Sequence, residues 1–279
     1  MSKIFSSENR NLILYFLITF SWSWSFWLPA VLSPTGYSEP LFFAFYLIGV
    51  FGPFVGAFSL TFINEKMEGV KKLGKQFWNV KINPKWWLVI IFLYPVLFIV
   101  PFFIAVIAGI YTPPDMYFSQ PWLVIVSIPI NFAINFIGAP LGEEFGWRGY
   151  ALPRFQARWN AFISSIVLGI IWGIWHLPLL IISTTSDLVI SIVLYILMVI
   201  LVSILYTWIF NNTKGNILGL IIFHTIENTM EGLFFVPNIL YSALFFGGLL
   251  LIADVLVVLI FGPKHLVRES VKIKSKKIN

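Results

Sequence analysis

The chain has 279 residues, of which 59% are hydrophobic and only 11% charged, whereas a soluble domain carries about 25% charged residues. This composition excludes an ordinary soluble domain and indicates an integral membrane protein. The absence of cysteine excludes disulfides, a cysteine nucleophile and thiolate metal ligands. The net charge of +6 comes without a basic face for nucleic acid.

Taken in chain order, the apolar runs predict about eight membrane-spanning helices in one all-α domain that covers residues 1–279. Each run has about 20 residues, enough to cross ~30 Å of hydrocarbon, and helices are expected because a spanning segment must satisfy its own backbone hydrogen bonds. We expect the first run to be a retained helix, since no small-residue cleavage site follows it. The predicted spans are 11–33, 40–63, 86–110, 121–141, 160–183, 188–210, 216–235 and 241–261.

The distribution of charge predicts the orientation of these spans. With eight spans, all 18 lysines and arginines fall in the terminal segments and in alternate loops on one side of the membrane. The loops on the other side contain only Glu39, Asp115 and Asp187 as charged residues. Because basic loops stay in the cytoplasm, both termini are expected there, in the plasma membrane. We expect the basic tail, 262–279, to lie on anionic lipid headgroups.

Ionisable residues within the predicted spans are concentrated in the seventh, in the stretch FHTIENTMEG. At 100° per residue, Asn228 and Glu231 lie within about 40° of His224, and Glu227 lies about 60° away at the edge of the same stripe. Such a stripe is expected to face other helices or a wet cavity rather than lipid. We expect structural roles for Glu231 and for Asp254 of the eighth span.

The stretch GEEFGWRGY, residues 142–150, carries two adjacent carboxylates beside the fourth span. Glu144 and Arg148 are four residues apart with the acid first, which favours a structural ion pair on a helix. Glu143 then points about 100° away and has no local cationic partner. It is therefore a candidate general base.

Glu143, His176 of the fifth span, His224 and Asn228 together could assemble a hydrolytic site. A Glu and a His can share the removal of a proton from water, and a His and an Asn can donate hydrogen bonds to an oxyanion. Alternatively, Glu143, His176 and His224 could bind a divalent metal such as zinc, with water as the fourth ligand. The motifs HExxH, Gly-x-Gly-Asp and Gly-x-Ser-x-Gly, which mark other intramembrane proteases, are absent from the sequence.

Three motifs carry a family resemblance. EEFGWR matches EExxxR, WGIWH matches an aromatic-xxx-His motif with Trp172 where Phe is usual, and HTIEN matches HxxxN. In this order on successive helices, and with RGYALPRFQ after the first motif, they resemble the CPBP family, which includes the CAAX prenyl endopeptidases and the bacteriocin-immunity (Abi) proteins. The resemblance covers about 143–228, within a motif-bearing core of about 121–235.

The resemblance implies an intramembrane endopeptidase that cleaves a membrane-associated peptide or a lipidated protein. By the family's pattern, Glu143 and His176 would activate the water, whereas His224 and Asn228 would hold the oxyanion. Both a metal mechanism and a metal-free glutamate mechanism are compatible with this set. Two other functions compete: a non-catalytic immunity or scaffold protein on the same fold, and a transporter, for which the expected inverted repeat is not seen.

Within the first motif, the resemblance implies that Glu144 and Arg148 fix the helix. One conflict concerns depth. With the fourth span ending at 141, Glu143 lies at the cytoplasmic edge, whereas His176 lies about 16 residues into the fifth span, roughly 24 Å deep. The two could not share a water molecule in that arrangement, so either the fifth span begins later or is tilted, or the fourth span lies deeper.

Overall fold

The computed structural model shows an all-α protein and describes residues 7–78, 81–183 and 187–268. Within these ranges the chain forms thirteen α-helices, one π-helical turn (Phe145–Ala151) and one 3₁₀ turn (Gly36–Ser38), with no β-strand. The predicted all-α fold class is therefore confirmed. The helices are α1 (Ser7–Val31), α2 (Pro40–Gly49), α3 (Gly52–Lys75), α4 (Pro84–Ile107), α5 (Met116–Ser119), α6 (Pro121–Ile137), α7 (Ala139–Glu144), α8 (Leu152–Gln156), α9 (Ala161–Trp175), α10 (Leu177–Ser183), α11 (Leu188–Asn212), α12 (Ile217–Phe234) and α13 (Ile239–Phe261).

Among the described residues, five helical stretches are long and apolar enough to cross a membrane. The bent pair of α2 and α3, which meet at 41°, makes a sixth candidate. Helix α9 has only 15 residues, and α12 carries the polar stripe, which reduces its apolar character. The count of eight spans and the cytoplasmic location of both termini remain predictions. The five stretches are Asn9–Val31, Pro84–Ile107, Pro121–Gln156, Leu188–Asn212 and Leu240–Phe261.

Asparagine and aspartate side chains begin several of the helices that surround the motifs. The side chain of Asn160 accepts a hydrogen bond from the backbone N–H of Ile163 at 2.8 Å at the start of α9. Asp187 caps α11 and Asn216 caps α12 in the same way. Because these side chains satisfy N–H groups that have no partner within the helix, they determine where each apolar run becomes helical.

The predicted end of the second span at 63 lies three residues before Lys66, where a kink with non-helical backbone angles interrupts α3. Two other predicted spans are wrong. The fourth does not end at 141, because α6, α7, the π-helical turn and α8 form one long helical run, Pro121–Gln156. The fifth is broken, because α9 ends at Trp175 and His176 is its C-cap residue. Pro178 follows and has no N–H with which to continue the hydrogen bonds of α9. Hydropathy alone does not register a break inside an apolar run.

Two glycines allow the first motif to pack closely against the α2–α3 bend. A Cβ atom on Gly142 would lie 2.7 Å from the carbonyl oxygen of Val50. A Cβ atom on Gly146 would lie 2.5 Å from Pro53. Neither position has space for a side chain, so this close approach holds the motif segment at a fixed distance from α3.

The basic tail is described only as far as residue 268, and 269–279 lie outside the described residues. Residues 262–268 contact the start of α9, where the backbone N–H of Ala161 donates to the carbonyl oxygen of Lys264 at 3.0 Å. The predicted contact between the tail and lipid headgroups remains a prediction.

Candidate active site

Glu143 and His176 come to a similar depth because the fourth helical run continues to Gln156. Glu143 lies 13 residues before Gln156, or roughly 20 Å along a helix, and His176 lies 15 residues after Ala161, or roughly 22 Å. A hydrogen bond between Trp172 and Glu143 links the two helices near these positions. The corrected boundary therefore removes the conflict between the depths predicted for Glu143 and His176.

Glu143 lies at the end of α7, and two tryptophans hold its carboxylate. The indole N–H of Trp172, from α9, donates to Oε2 at 2.6 Å. The indole N–H of Trp147, one turn along the chain, donates to the same oxygen at 3.2 Å. Oε1 accepts no hydrogen bond within the described ranges, and Glu143 lines a cavity. Neutral donors thus hold one oxygen and leave the other available to a reactant.

Glu144 points into the protein core. Its Oε1 accepts a hydrogen bond from Nη1 of Arg148 at 2.8 Å, so the ion pair that the spacing predicts is present. The same oxygen lies 2.9 Å from Nδ1 of His224. The guanidinium carbon of Arg148 lies 4.2 Å from the ring centroids of both Trp172 and Tyr206. Two aromatic faces therefore enclose the cation, and Glu144 links it to the histidine.

The two histidines each have one ring nitrogen bound and one available. Nδ1 of His176 lies 2.9 Å from the backbone carbonyl oxygen of Trp172, and Nδ1 of His224 faces the Glu144 carboxylate. Because both partners accept hydrogen bonds, Nδ1 carries the proton in each ring, and Nε2 of a neutral ring is an acceptor. An oxyanion role for His224 therefore requires the imidazolium form, which the carboxylate of Glu144 stabilises.

The polar stripe of α12 faces the same cavity. His224, Glu227, Asn228 and Glu231 all line it. The hydroxyl of Tyr206 donates a hydrogen bond to Glu227. The side chains of Asn228 and Glu231 form no hydrogen bond or ion pair with the part of the chain that the structure describes. The Asn228 amide is therefore available to donate to a group in the cavity.

The cavity has a volume of about 840 Å³. Ligand pockets generally measure ~300–1,000 Å³, so this cavity is large enough for a peptide segment or an apolar chain. The four residues predicted to be catalytic, Glu143, His176, His224 and Asn228, all line it. The remainder is largely apolar and includes Phe98, Leu179, Leu194, Met198, Val199, Val202, Phe235 and Phe246.

A metal centre would require at least three ligating side chains to converge. Among the described residues, no group of three or more His, Asp or Glu side chains is placed to hold a metal ion. Metal binding by Glu143, His176 and His224 remains a prediction, and no step of the proposed chemistry uses a metal. Chelation of the purified protein tests whether activity requires a metal.

Two residues of the site were not identified from the sequence: Trp147 and Tyr206. The spacing of four residues between Glu143 and Trp147 was a readable signal, because such pairs share a helix face. Tyr206 lies in the apolar run of α11, outside every motif. Only tertiary packing brings its ring to 5.6 Å from that of His224.

The two acids for which structural roles were expected have no structural partner among the described residues. Glu231 is exposed and faces the cavity. Asp254 of α13 is 3% exposed, and neither of its carboxylate oxygens has a hydrogen-bond partner in the described ranges. Nothing in the structure explains the burial of Asp254.

The part of the chain that carries the three motifs is similar to known proteins. The family model described as Type II CAAX prenyl endopeptidase Rce1-like matches residues 125–230, which contain all three motifs. The protein named CAAX prenyl protease 2 from Methanococcus maripaludis is 28% identical over 237 residues, which cover 82% of this chain and 86% of that relative. The similarity therefore extends beyond the motifs to most of the chain.

Proposed function

We propose that this chain, which is similar to the CAAX prenyl endopeptidases, is an intramembrane endopeptidase of the CPBP family that cleaves a prenylated, membrane-associated peptide in the plasma membrane. The observation that supports this proposal is the convergence of Glu143, His176, His224 and Asn228 on one cavity. Polar groups within a membrane protein are costly and generally serve function. Four of them directed into one cavity are better explained by chemistry than by stability.

In the proposed reaction, Glu143 activates the water. Oε1 accepts a proton from the water as the water oxygen bonds to the scissile carbonyl carbon. Nε2 of His176, as an acceptor, orients the same water. The tetrahedral intermediate collapses when the C–N bond breaks and the amine nitrogen takes the proton from Glu143. Glu143 therefore acts first as a base and then as an acid, and the cycle balances without a further proton donor.

Asn228 and His224 stabilise the oxyanion of the tetrahedral intermediate. The Asn228 side-chain N–H₂ donates one hydrogen bond, and the protonated Nε2 of His224 donates the second. Donors directed at a developing negative charge in a dry site contribute strongly to catalysis. Behind His224, the Glu144 carboxylate holds the ring and stabilises its positive charge, and Arg148 holds Glu144 in place.

The test is cleavage of a quenched-fluorescent farnesylated CAAX peptide by the purified protein in liposomes. We expect cleavage by the wild type, little cleavage of the unprenylated peptide, and loss of activity in Glu143→Gln. Glu68→Gln provides a matched control, because Glu68 is an exposed carboxylate on α3 outside the cavity. Absence of cleavage by the wild type, with peptide binding retained, would instead favour a non-catalytic immunity or scaffold role.

The same assay tests the metal requirement. We expect activity to survive treatment with a strong chelator, because three ligands do not converge in the described residues. Loss of activity on chelation, followed by recovery when zinc is added, would establish a metal mechanism instead.

A further inference from the structure

We infer that Trp172 is a positioning residue for Glu143, holding Oε2 with its indole N–H so that Oε1 faces the reactant water. This inference rests on the proposed function. A phenylalanine ring at position 172 would have no N–H to donate, so the hydrogen bond to the Glu143 carboxylate depends on tryptophan at this position.

The geometry favours Trp172 as the principal donor. Its N–H lies 2.6 Å from Oε2 of Glu143, whereas that of Trp147 lies 3.2 Å from the same atom. Charge-assisted hydrogen bonds are short and strong, and the shorter of these two crosses between helices. With both donors on one oxygen, rotation of the carboxylate is restricted and Oε1 remains available toward the cavity.

Trp172 is itself fixed, as a positioning residue must be. Its side chain is 4% exposed. The guanidinium of Arg148 lies against one ring face, 4.2 Å from the centroid. The His224 ring packs against the indole with centroids 5.6 Å apart. Its backbone carbonyl also accepts the hydrogen bond from His176. One residue therefore contacts both the Glu143 side and the His224 side of the site.

The substitution Trp172→Phe removes the N–H but retains an aromatic face for Arg148, so it distinguishes the role of the hydrogen bond from that of the ring. We expect kcat to fall about 10- to 100-fold, the size expected for one hydrogen bond to a charged group, with KM little changed. The acidic limb of the pH profile should move to higher pH, since the carboxylate form has lost a donor. A purely structural role would lower activity without moving that limb.

A measurement that needs no substrate tests the hydrogen bond directly. Infrared spectra in liposomes would identify the carboxylate band of Glu143 by its loss in Glu143→Gln. We expect that band to shift in Trp172→Phe and to stay unchanged in Trp208→Phe. Trp208 is a matched control, because it is a buried tryptophan on α11 whose N–H has no partner in the described residues. An unchanged band in Trp172→Phe would overturn the inference.

Thermal unfolding in detergent would detect whether Trp172→Phe fails to fold. In that case a second variant, Trp147→Phe, still tests the inference. Trp147→Phe removes the longer hydrogen bond, and we expect only a small band shift because Trp172 still holds Oε2. A shift to the position of a carboxylate without hydrogen bonds would show that Trp172 does not hold Glu143. The infrared result is independent of cleavage, so a shifted band without cleavage would refute the proposed function alone.

Discussion

The two adjacent carboxylates of the first motif lie on different sides of the helix and have opposite surroundings. On the cavity side, Glu143 receives hydrogen bonds only from neutral indole groups and keeps one oxygen free in the described ranges. On the core side, Glu144 is enclosed with a guanidinium and an imidazole. Compensated charge suits a structural role, whereas a carboxylate without a cation suits proton transfer. In the proposed mechanism, chemistry and support are therefore separated by one residue and about 100° of helix rotation.

The largest expected effect is the loss of activity when the carboxylate on the cavity side is removed. Glu143→Gln should reduce kcat/KM for the farnesylated peptide by about 10²- to 10⁴-fold, the range for loss of a general base. The unfolding temperature should change little, because the amide oxygen still accepts from Trp172. Peptide cleavage and thermal unfolding in detergent measure the two quantities. A large loss of stability with little loss of cleavage would place Glu143 on the structural side of the comparison.

Breaking the core side should instead lower the free energy of unfolding. Arg148→Met removes one partner of a buried ion pair, which costs about 3–5 kcal/mol of unfolding free energy. The loss of unfolding free energy should lie at the low end of this range, because His224 remains beside Glu144. Denaturant titration in mixed micelles measures the change, with Arg158→Met, outside the site, as the control. Unchanged stability in Arg148→Met would contradict the structural role.

Asn228→Ala tests a second residue on the cavity side, the proposed oxyanion donor. Loss of one oxyanion donor typically lowers kcat by about 10²- to 10³-fold. Stability should remain near that of the wild type, since the Asn228 side chain bonds to nothing else in the described ranges. Steady-state cleavage kinetics would show the effect in kcat and not in KM. An effect confined to KM would indicate substrate binding rather than oxyanion stabilisation.

Tyr206 lies between the two sides and should give the smallest effect. Its ring packs on Arg148, and its hydroxyl donates to Glu227. Tyr206→Phe keeps the ring and removes the hydroxyl, which should cost about 1 kcal/mol of unfolding free energy. We expect kcat to stay within a few-fold of the wild-type value. A larger fall in kcat would make Glu227 part of the catalytic machinery.

Residue spacing along single helices predicted much of the site. The Glu144–Arg148 pair and the polar stripe of α12 both follow from positions on one helix. The depth of Glu143 did not follow, because the π-helical turn after it continues a helix that hydropathy ended at 141. The role of Trp172 was also missed. The motif identified its ring, but its N–H acts on a residue 29 positions earlier in the chain.

The sequence by itself determined that the protein resides in a membrane, that it is all-α, and which polar residues interrupt its apolar helices, because composition and helical periodicity are local properties. Only the tertiary structure decided which oxygen of Glu143 is held. It also decided that Glu144 reaches His224, 80 residues away along the chain. In an apolar interior most polar groups bond to a neighbouring polar group, and only the packing of helices determines which groups are neighbours.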